Sequence, residues 1–141
     1  MAKVREYDRT KPNLFLDLDS TIISSVDVKD EIKAVPVDFL KNFKKHTMTG
    51  YYEIMERPYL QAFLDYAFQN FNVSVFTAAD KDYGSFIINN IIEGRKRNRR
   101  IHYFLHGFHS EISEAIYKTP KQLTILWDLF KLPNVNNTNT V

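Results

Sequence analysis

Two carboxylates two residues apart, Asp17 and Asp19, follow directly on the apolar run Leu14-Phe15-Leu16, with a hydroxyl at Thr21 and aliphatics beyond it. On extended backbone alternate side chains point the same way, so both carboxylates can address one small volume where a strand ends. Such a pair is costly to desolvate unless a cation or hydrogen-bond donors compensate. Two further groups come from separate segments: Thr77, closing the run Val73-Ser74-Val75-Phe76-Thr77, and Lys118, just ahead of the last helical pattern. Together they make a metal-supported phosphate site. One carboxylate can attack phosphorus and form an acyl-phosphate. The other can protonate the leaving oxygen and then deprotonate the attacking water. A hydroxyl and an ammonium can hold the phosphoryl oxygens, and magnesium suits the hard oxygen ligands. The plain alternative is a strand capped by an acidic turn.

The elements that must position these groups alternate in type. Leu14 to Leu18 reads as a central strand covered on both faces. Met1 to Pro12 reads as a loose polar arm, and Ser24 to Val35 as polar and irregular. Pro36 leads into a short basic amphipathic helix over Val37 to Lys45, carrying Phe39, Leu40 and Phe43. Tyr51 to Glu56 alternates as a strand does. Arg57-Pro58 opens the clearest helix, with Leu60, Phe63, Leu64, Ala67 and Phe68 on one stripe and Pro58 in its first turn. Val73 to Thr77 is the second core strand. Asp80 is placed to cap a helix carrying Tyr83, Phe86, Ile87 and Ile91, which Gly94 can close. Ile101 to Leu105 is a further strand. Thr119-Pro120 reads as N-cap and first residue of a last helix with Leu123, Leu126, Trp127 and Phe130 inward, stopped by Pro133. Strands alternating with helices predict an α/β fold with a parallel sheet, whose site lies at the carboxyl ends of the strands.

Composition excludes several classes. A chain of 141 residues with 44% hydrophobic and 14% aromatic residues is long and apolar enough for one packed domain. No apolar run nears the span of a bilayer, so no membrane partner is expected. With no cysteine there is no disulfide framework or thiolate metal site, which fits an intracellular setting, nucleus or cytoplasm. A net charge of +2 gives no ground for direct nucleic-acid binding.

Four stretches, in order, resemble a known family. Leu14-Phe15-Leu16-Asp17-Leu18-Asp19-Ser20-Thr21-Ile22-Ile23 is similar to the first motif of the haloacid dehalogenase-like phosphatases. More narrowly, it is similar to the Asp-x-Asp-x-Thr signature of the FCP/SCP-type phosphatases of the RNA polymerase II C-terminal domain. Arg57-Pro58-Tyr59-Leu60 resembles the family's Arg-Pro-Gly-Leu helix start, Val75-Phe76-Thr77-Ala78-Ala79 its second motif, and Ile116-Tyr117-Lys118 the Tyr-x-Lys of its third. The resemblance implies a Rossmann-like core and a magnesium-dependent phosphoserine/phosphothreonine protein phosphatase. Asp17 would be the phosphorylated nucleophile and a metal ligand, Asp19 the general acid/base with its backbone carbonyl on the metal, and Thr77 and Lys118 the phosphate ligands. Lys121 is the rival of Lys118, ranked second because it falls a turn into the expected helix. The implied partner is a phosphorylated peptide or protein, with the RNA polymerase II C-terminal domain as a candidate. The family's fourth motif, an acidic pair ending a strand beside the one bearing Asp17, would fall beyond Val141. Residues 13–141 are therefore expected to be a phosphatase domain incomplete on its C-terminal side, and a catalytically silent binding module of the same fold is the alternative. A phosphatase of small metabolites fits less well, since Ser20 stands where such members usually place glycine.

Other features read more plainly. Ser20, Ser24 and Ser25 lack a nucleophile elbow and read as loop hydroxyls. His102, His106 and His109 suggest packing or surface roles over zinc. Arg95 to Arg100 reads as a solvated basic loop, with nuclear import or an acidic partner as the alternative. Tyr103, Phe104 and Phe108 read as core, but they fall where the family inserts a hairpin that grips the peptide.

Overall fold

The computed structural model describes residues 7–27, 43–96 and 98–141. Its strands and helices are β1 (Asn13–Leu16), β2 (Ile23–Asp27), β3 (Lys45–Met48), β4 (Tyr52–Glu56), α1 (Leu60–Asn70), β5 (Asn72–Phe76), α2 (Lys81–Ile87), β6 (Phe104–Leu105), α3 (Gly107–Tyr117) and α4 (Thr124–Asp128). A parallel sheet runs in the order β1-β5-β6, and a separate antiparallel sheet in the order β2-β4-β3.

In the parallel sheet Leu14 pairs with Val73 and Leu16 with Val75. Every residue of β5 is buried, as a strand flanked on both sides requires. Alternation splits its side chains between two cores. Leu14, Leu16, Val73 and Val75 face a cluster with Leu64, Ala67, Phe68, Ile87 and Ile91 from the helices on one face. Phe15, Phe76 and Leu105 face a second cluster with Ile125, Leu126 and Val135 on the other. The expected α/β architecture is present.

On the outer flank of β1, Asn139 to Val141 run parallel to it: Asn13 N–H donates to Asn139 O at 2.7 Å and Phe15 N–H to Val141 O at 2.8 Å. A strand beside the one carrying Asp17 is where the family resemblance places the next element.

Several expectations change. Residues 7–12 are not loose: the Tyr7 hydroxyl donates to the Asn134 carbonyl at 2.9 Å, and Asp8 N–H donates to the Asn72 side chain, which donates back to Asp8 O. Ser24 and Ser25 lie in β2, not in an irregular segment, because β4 supplies a full antiparallel ladder. Phe39 and Leu40 of the expected short helix lie outside the described residues, and Lys45 begins β3 instead. Helix α1 starts at Leu60, after Pro58, and leaves Phe63 exposed while Leu60, Leu64, Ala67 and Phe68 are buried. Tyr59 stands at the family's glycine position with φ +65°, a left-handed conformation that L side chains adopt only at a cost.

Asp80 caps α2 as expected, accepting from Tyr83 N–H at 2.9 Å. The helix then widens into a π turn over Ile88–Ile92, which Gly94 closes at φ +56°.

Helix α3 has no counterpart in the sequence reading. Its apolar Ile112 and Tyr117 pack on the second cluster, but Phe108 and Ile116 are exposed while Ser110 and Ser113 are buried, which blurs the amphipathic pattern. The last helix begins at Thr124, four residues later than the Thr119-Pro120 step suggests. No helix among the described residues is long and apolar enough to cross a membrane.

Candidate active site

The first site element is the tight loop that follows β1. Leu18 and Ile22 are buried and act as its anchors. The N–H groups of Thr21, Ile22 and Ile23 all converge on the Leu18 carbonyl at 3.0–3.3 Å, and Ser20 turns through φ +60°. This folding returns the Thr21 hydroxyl to Asp17, donating to Oδ2 at 2.8 Å. Arg57 braces the loop from outside, its guanidinium donating to Thr21 O at 2.8 Å and its N–H to Ile22 O at 3.0 Å. The Arg57-Pro58 step therefore supports the site as well as preceding a helix.

The cation on Asp17 is Lys121, not Lys118. Lys121 Nζ lies 2.6 Å from Asp17 Oδ1. Lys118 sits in the left-handed residue that ends α3 and donates to Ala115 O of its own helix at 3.2 Å. The helix expected to carry Lys121 is absent there, because the loop 118–122 is held open: Ser110 Oγ donates to Pro120 O at 2.7 Å, Ser113 Oγ donates to Thr119 O at 2.6 Å, and Ser113 Oγ accepts from Gln122 N–H at 3.0 Å. The two inward serines of α3 thus clamp the backbone on both sides of Lys121. Partial burial works to raise the Asp17 carboxyl, but hydrogen bonds from Lys121 and Thr21, with the Lys121 charge and the Leu18 N–H, hold it below its ordinary value.

Asp19 has a different environment. Tyr83 OH donates to Asp19 Oδ1 at 2.5 Å, and Ser25 Oγ lies 2.8 Å from the Tyr83 oxygen and 3.5 Å from Asp19 Oδ1. Burial, and then the bond to Asp19, push the Tyr83 phenol above its ordinary range. Tyr83 stands in the sequence reading only as a buried helix position. The signal was its hydroxyl, since a buried tyrosine normally finds a partner for it.

Thr77 is buried at the end of β5, its N–H on Leu105 O at 2.9 Å and its hydroxyl accepting from Ala79 N–H at 3.1 Å. That leaves the Thr77 O–H proton to be donated. Gly107 packs against the same loop, its N–H 2.6 Å from Ala79 O, and a Cβ there would meet the Ala78 and Ala79 carbonyls at 3.1–3.2 Å. The start of α3 is thereby fixed to the Thr77 turn. A groove of about 390 Å³ opens beside Thr21, lined among others by Ile23, Val26, Phe43, Met55 and Pro58.

The remaining candidates lie elsewhere. His102 packs edge-on to Tyr7, while His106 and His109 pack on each other, 4.7 Å between ring centroids. Burial, then the His106 neighbour, hold His109 below its ordinary value. Tyr103 stacks on Phe15, and the Phe104 ring lies over Gly84. Phe108 is exposed, and residues 103–108 form no hairpin. Arg99 departs from the solvated-loop reading: it is buried, donating to Gln61 Oε1 and O, Asp65 Oδ1 and Ile92 O. The π turn and α1 together offer carbonyls that a buried guanidinium satisfies.

The family model of NLI interacting factor-like phosphatases matches residues 12–138. The chain belongs to this phosphatase family. CTD phosphatase-like protein 355R of Invertebrate iridescent virus 6 is 40% identical to this family member over 138 residues, covering 91% of the chain and 72% of the viral protein. Its counterpart from Invertebrate iridescent virus 3 is 38% identical over 139 residues, covering 93% and 74%. The fold is that of fission yeast RNA polymerase II CTD phosphatase Fcp1 in a structure bound to beryllium fluoride, with TM-score 0.61 and 21% identity. The NIF-family chain aligns there over 94% of its own length and spans 36% of the yeast chain. A second Fcp1 structure matches with TM-score 0.57.

Proposed function

We propose that this chain hydrolyses phosphoserine and phosphothreonine esters of proteins through an aspartyl-phosphate on Asp17. The observation that carries the proposal is the contrast within one loop: Asp17 is met by an ammonium and a hydroxyl, Asp19 by the Tyr83 hydroxyl with Ser25 behind it. A carboxylate kept ionised beside a cation can attack phosphorus, and a second carboxylate two residues on stands where it can pass a proton to the leaving oxygen and take one from water. Asp17 attacks phosphorus while the seryl oxygen leaves and takes a proton from Asp19. Asp19 then takes a proton from water as the water oxygen attacks phosphorus and frees Asp17. Lys121 balances the charge that gathers on the phosphoryl oxygens, and the Thr77 hydroxyl donates to one of them.

Magnesium fits the donor set in kind. The Asp17 carboxylate and the Asp19 backbone carbonyl are hard oxygens at one strand end, and they would hold the ion. Magnesium commonly keeps several waters and substrate phosphate oxygens in its shell, so these two protein ligands suit it; among the described residues no cluster of three His, Cys, Asp or Glu side chains that could hold a metal is present. When bound, the ion would offset the negative charge of phosphate and carboxylates. The groove beside Thr21 offers room for residues flanking the phosphorylated one, which supports a protein substrate over a small metabolite. The names of the viral relatives and of Fcp1 make a polymerase C-terminal repeat a candidate substrate.

The test is magnesium-dependent phosphate release from a phosphoserine peptide, with Asp17→Asn as the comparison. Wild-type release abolished in Asp17→Asn is expected. Equal release by the two proteins overturns the mechanism, and a folded wild type that binds the peptide without releasing phosphate favours the binding module.

A further inference from the structure

Tyr83 is the buried titratable group nearest the reacting carboxylates that the reaction sequence above leaves without a task. Its position is heavily determined. Asp80 caps the helix and accepts from the Tyr83 N–H, the ring packs edge-on to Tyr52 of β4 at 5.0 Å between centroids, and only 5% of the residue is exposed. The hydroxyl therefore cannot travel to suit Asp19; Asp19 must suit it. A single phenolic proton has two neighbours, Asp19 Oδ1 and Ser25 Oγ. The carboxylate can only accept when ionised, so the tyrosine proton goes to Asp19, and the Ser25 hydroxyl is left to donate to the tyrosine oxygen.

We propose that Tyr83, with Ser25 behind it, is a positioning residue that decides which oxygen of Asp19 handles the proton in the phosphatase reaction. With Oδ1 occupied as an acceptor from Tyr83, a proton on Asp19 resides on Oδ2. The leaving oxygen then takes that proton as its bond to phosphorus breaks, which returns Asp19 to the carboxylate. In the second half of the reaction Oδ2 takes a proton from water as the water oxygen bonds to phosphorus. Protons balance over the cycle, and Tyr83 itself keeps its own throughout. Without the phenol, Asp19 can rotate and place its proton on either oxygen, and only a fraction of encounters are productive.

The inference rests on the phosphatase reading, and one experiment separates the two. Tyr83→Phe keeps the ring and its packing while removing the hydroxyl. Phenyl phosphate and p-nitrophenyl phosphate have nearly the same shape, but the first needs its leaving oxygen protonated and the second does not. The value of kcat/KM, which reports the first half-reaction, is measured for both esters with magnesium present. Tyr83→Phe is expected to lower it about 10- to 100-fold for phenyl phosphate and no more than about threefold for p-nitrophenyl phosphate. Ser25→Ala should show the same asymmetry at smaller size. An equal fall for both esters overturns the positioning role, because a purely structural defect does not sense the leaving group. Loss of folding in Tyr83→Phe passes the decision to Ser25→Ala, where a symmetric effect also overturns it. A folded wild type that releases phosphate from neither these esters nor a phosphoserine peptide overturns the phosphatase reading and the role of Tyr83 with it.

Discussion

The two ends of one short loop are held by unlike chemistry. Asp17 faces a cation delivered from a loop about a hundred residues downstream, whereas Asp19 faces a tyrosine from α2 and a serine from β2. The loop backbone alone would make two equivalent aspartates. Their difference comes from what the neighbouring elements bring: a charge on one side, neutral hydroxyls on the other. The cation and the Thr21 hydroxyl hold the Asp17 carboxyl below its ordinary value, while Asp19 meets no cation among the described residues. Each pocket also has its own scaffold. The inward serines of α3 clamp the Lys121 loop, while the Asp80 cap and the Tyr52 ring hold Tyr83.

The comparison can be broken most severely at Asp17. Asp17→Asn should lower phosphate release at least about 10³-fold, since removal of a nucleophile leaves only binding and electrostatic assistance. Lys121→Met should lower it by about 10²- to 10³-fold through lost charge stabilisation. Lys118→Met, three residues away, should stay within about twofold, as for an ordinary exposed side chain. Matched kcat/KM measurements on the two lysine variants check this, and a larger effect at Lys118 would reverse the assignment.

A smaller effect concerns pH. The Asp17 carboxyl titrates lower in the folded chain than its ordinary value of 3.8, so its contact with Lys121 adds stability above that value. The contribution is lost as the pH falls through the folded value. Urea midpoints of wild type and Lys121→Met should therefore converge as the pH is lowered through this window. A gap that stays constant would mean that the ion pair is not coupled to folding.

The smallest effect is a control outside both pockets. Tyr59 carries a left-handed backbone and is almost wholly exposed, so Tyr59→Gly relieves strain at little cost in packing. It should raise stability by about 0.5–1 kcal/mol after the greater chain entropy of glycine is counted, with phosphate release unchanged. Thermal melts together with a rate assay check both parts.

Much of this molecule could be read from residue order alone. Alternation and apolar runs determine β1 and β5, the caps determine α2, and the spacing of Asp17 and Asp19 determines that two carboxylates share a strand end, because these rest on local backbone geometry. The identity of the cation was decided elsewhere. Lys118 and Lys121 differ only in whether a helix has begun, and that depends on Ser110 and Ser113 holding the intervening backbone open; the bias of Thr119 toward extended backbone before Pro120 was the only local hint. Helix α3 escaped notice for the same reason, since its two buried side chains are hydroxyls that bond to a loop, with Ile112 and Tyr117 only partly buried beside them. The burial of Arg99 and the bond from Tyr83 to Asp19 likewise join residues 34 and 64 positions apart. Local propensity places carboxylates at a strand end, but only the packing of distant elements decides which of them meets an ammonium and which a phenol.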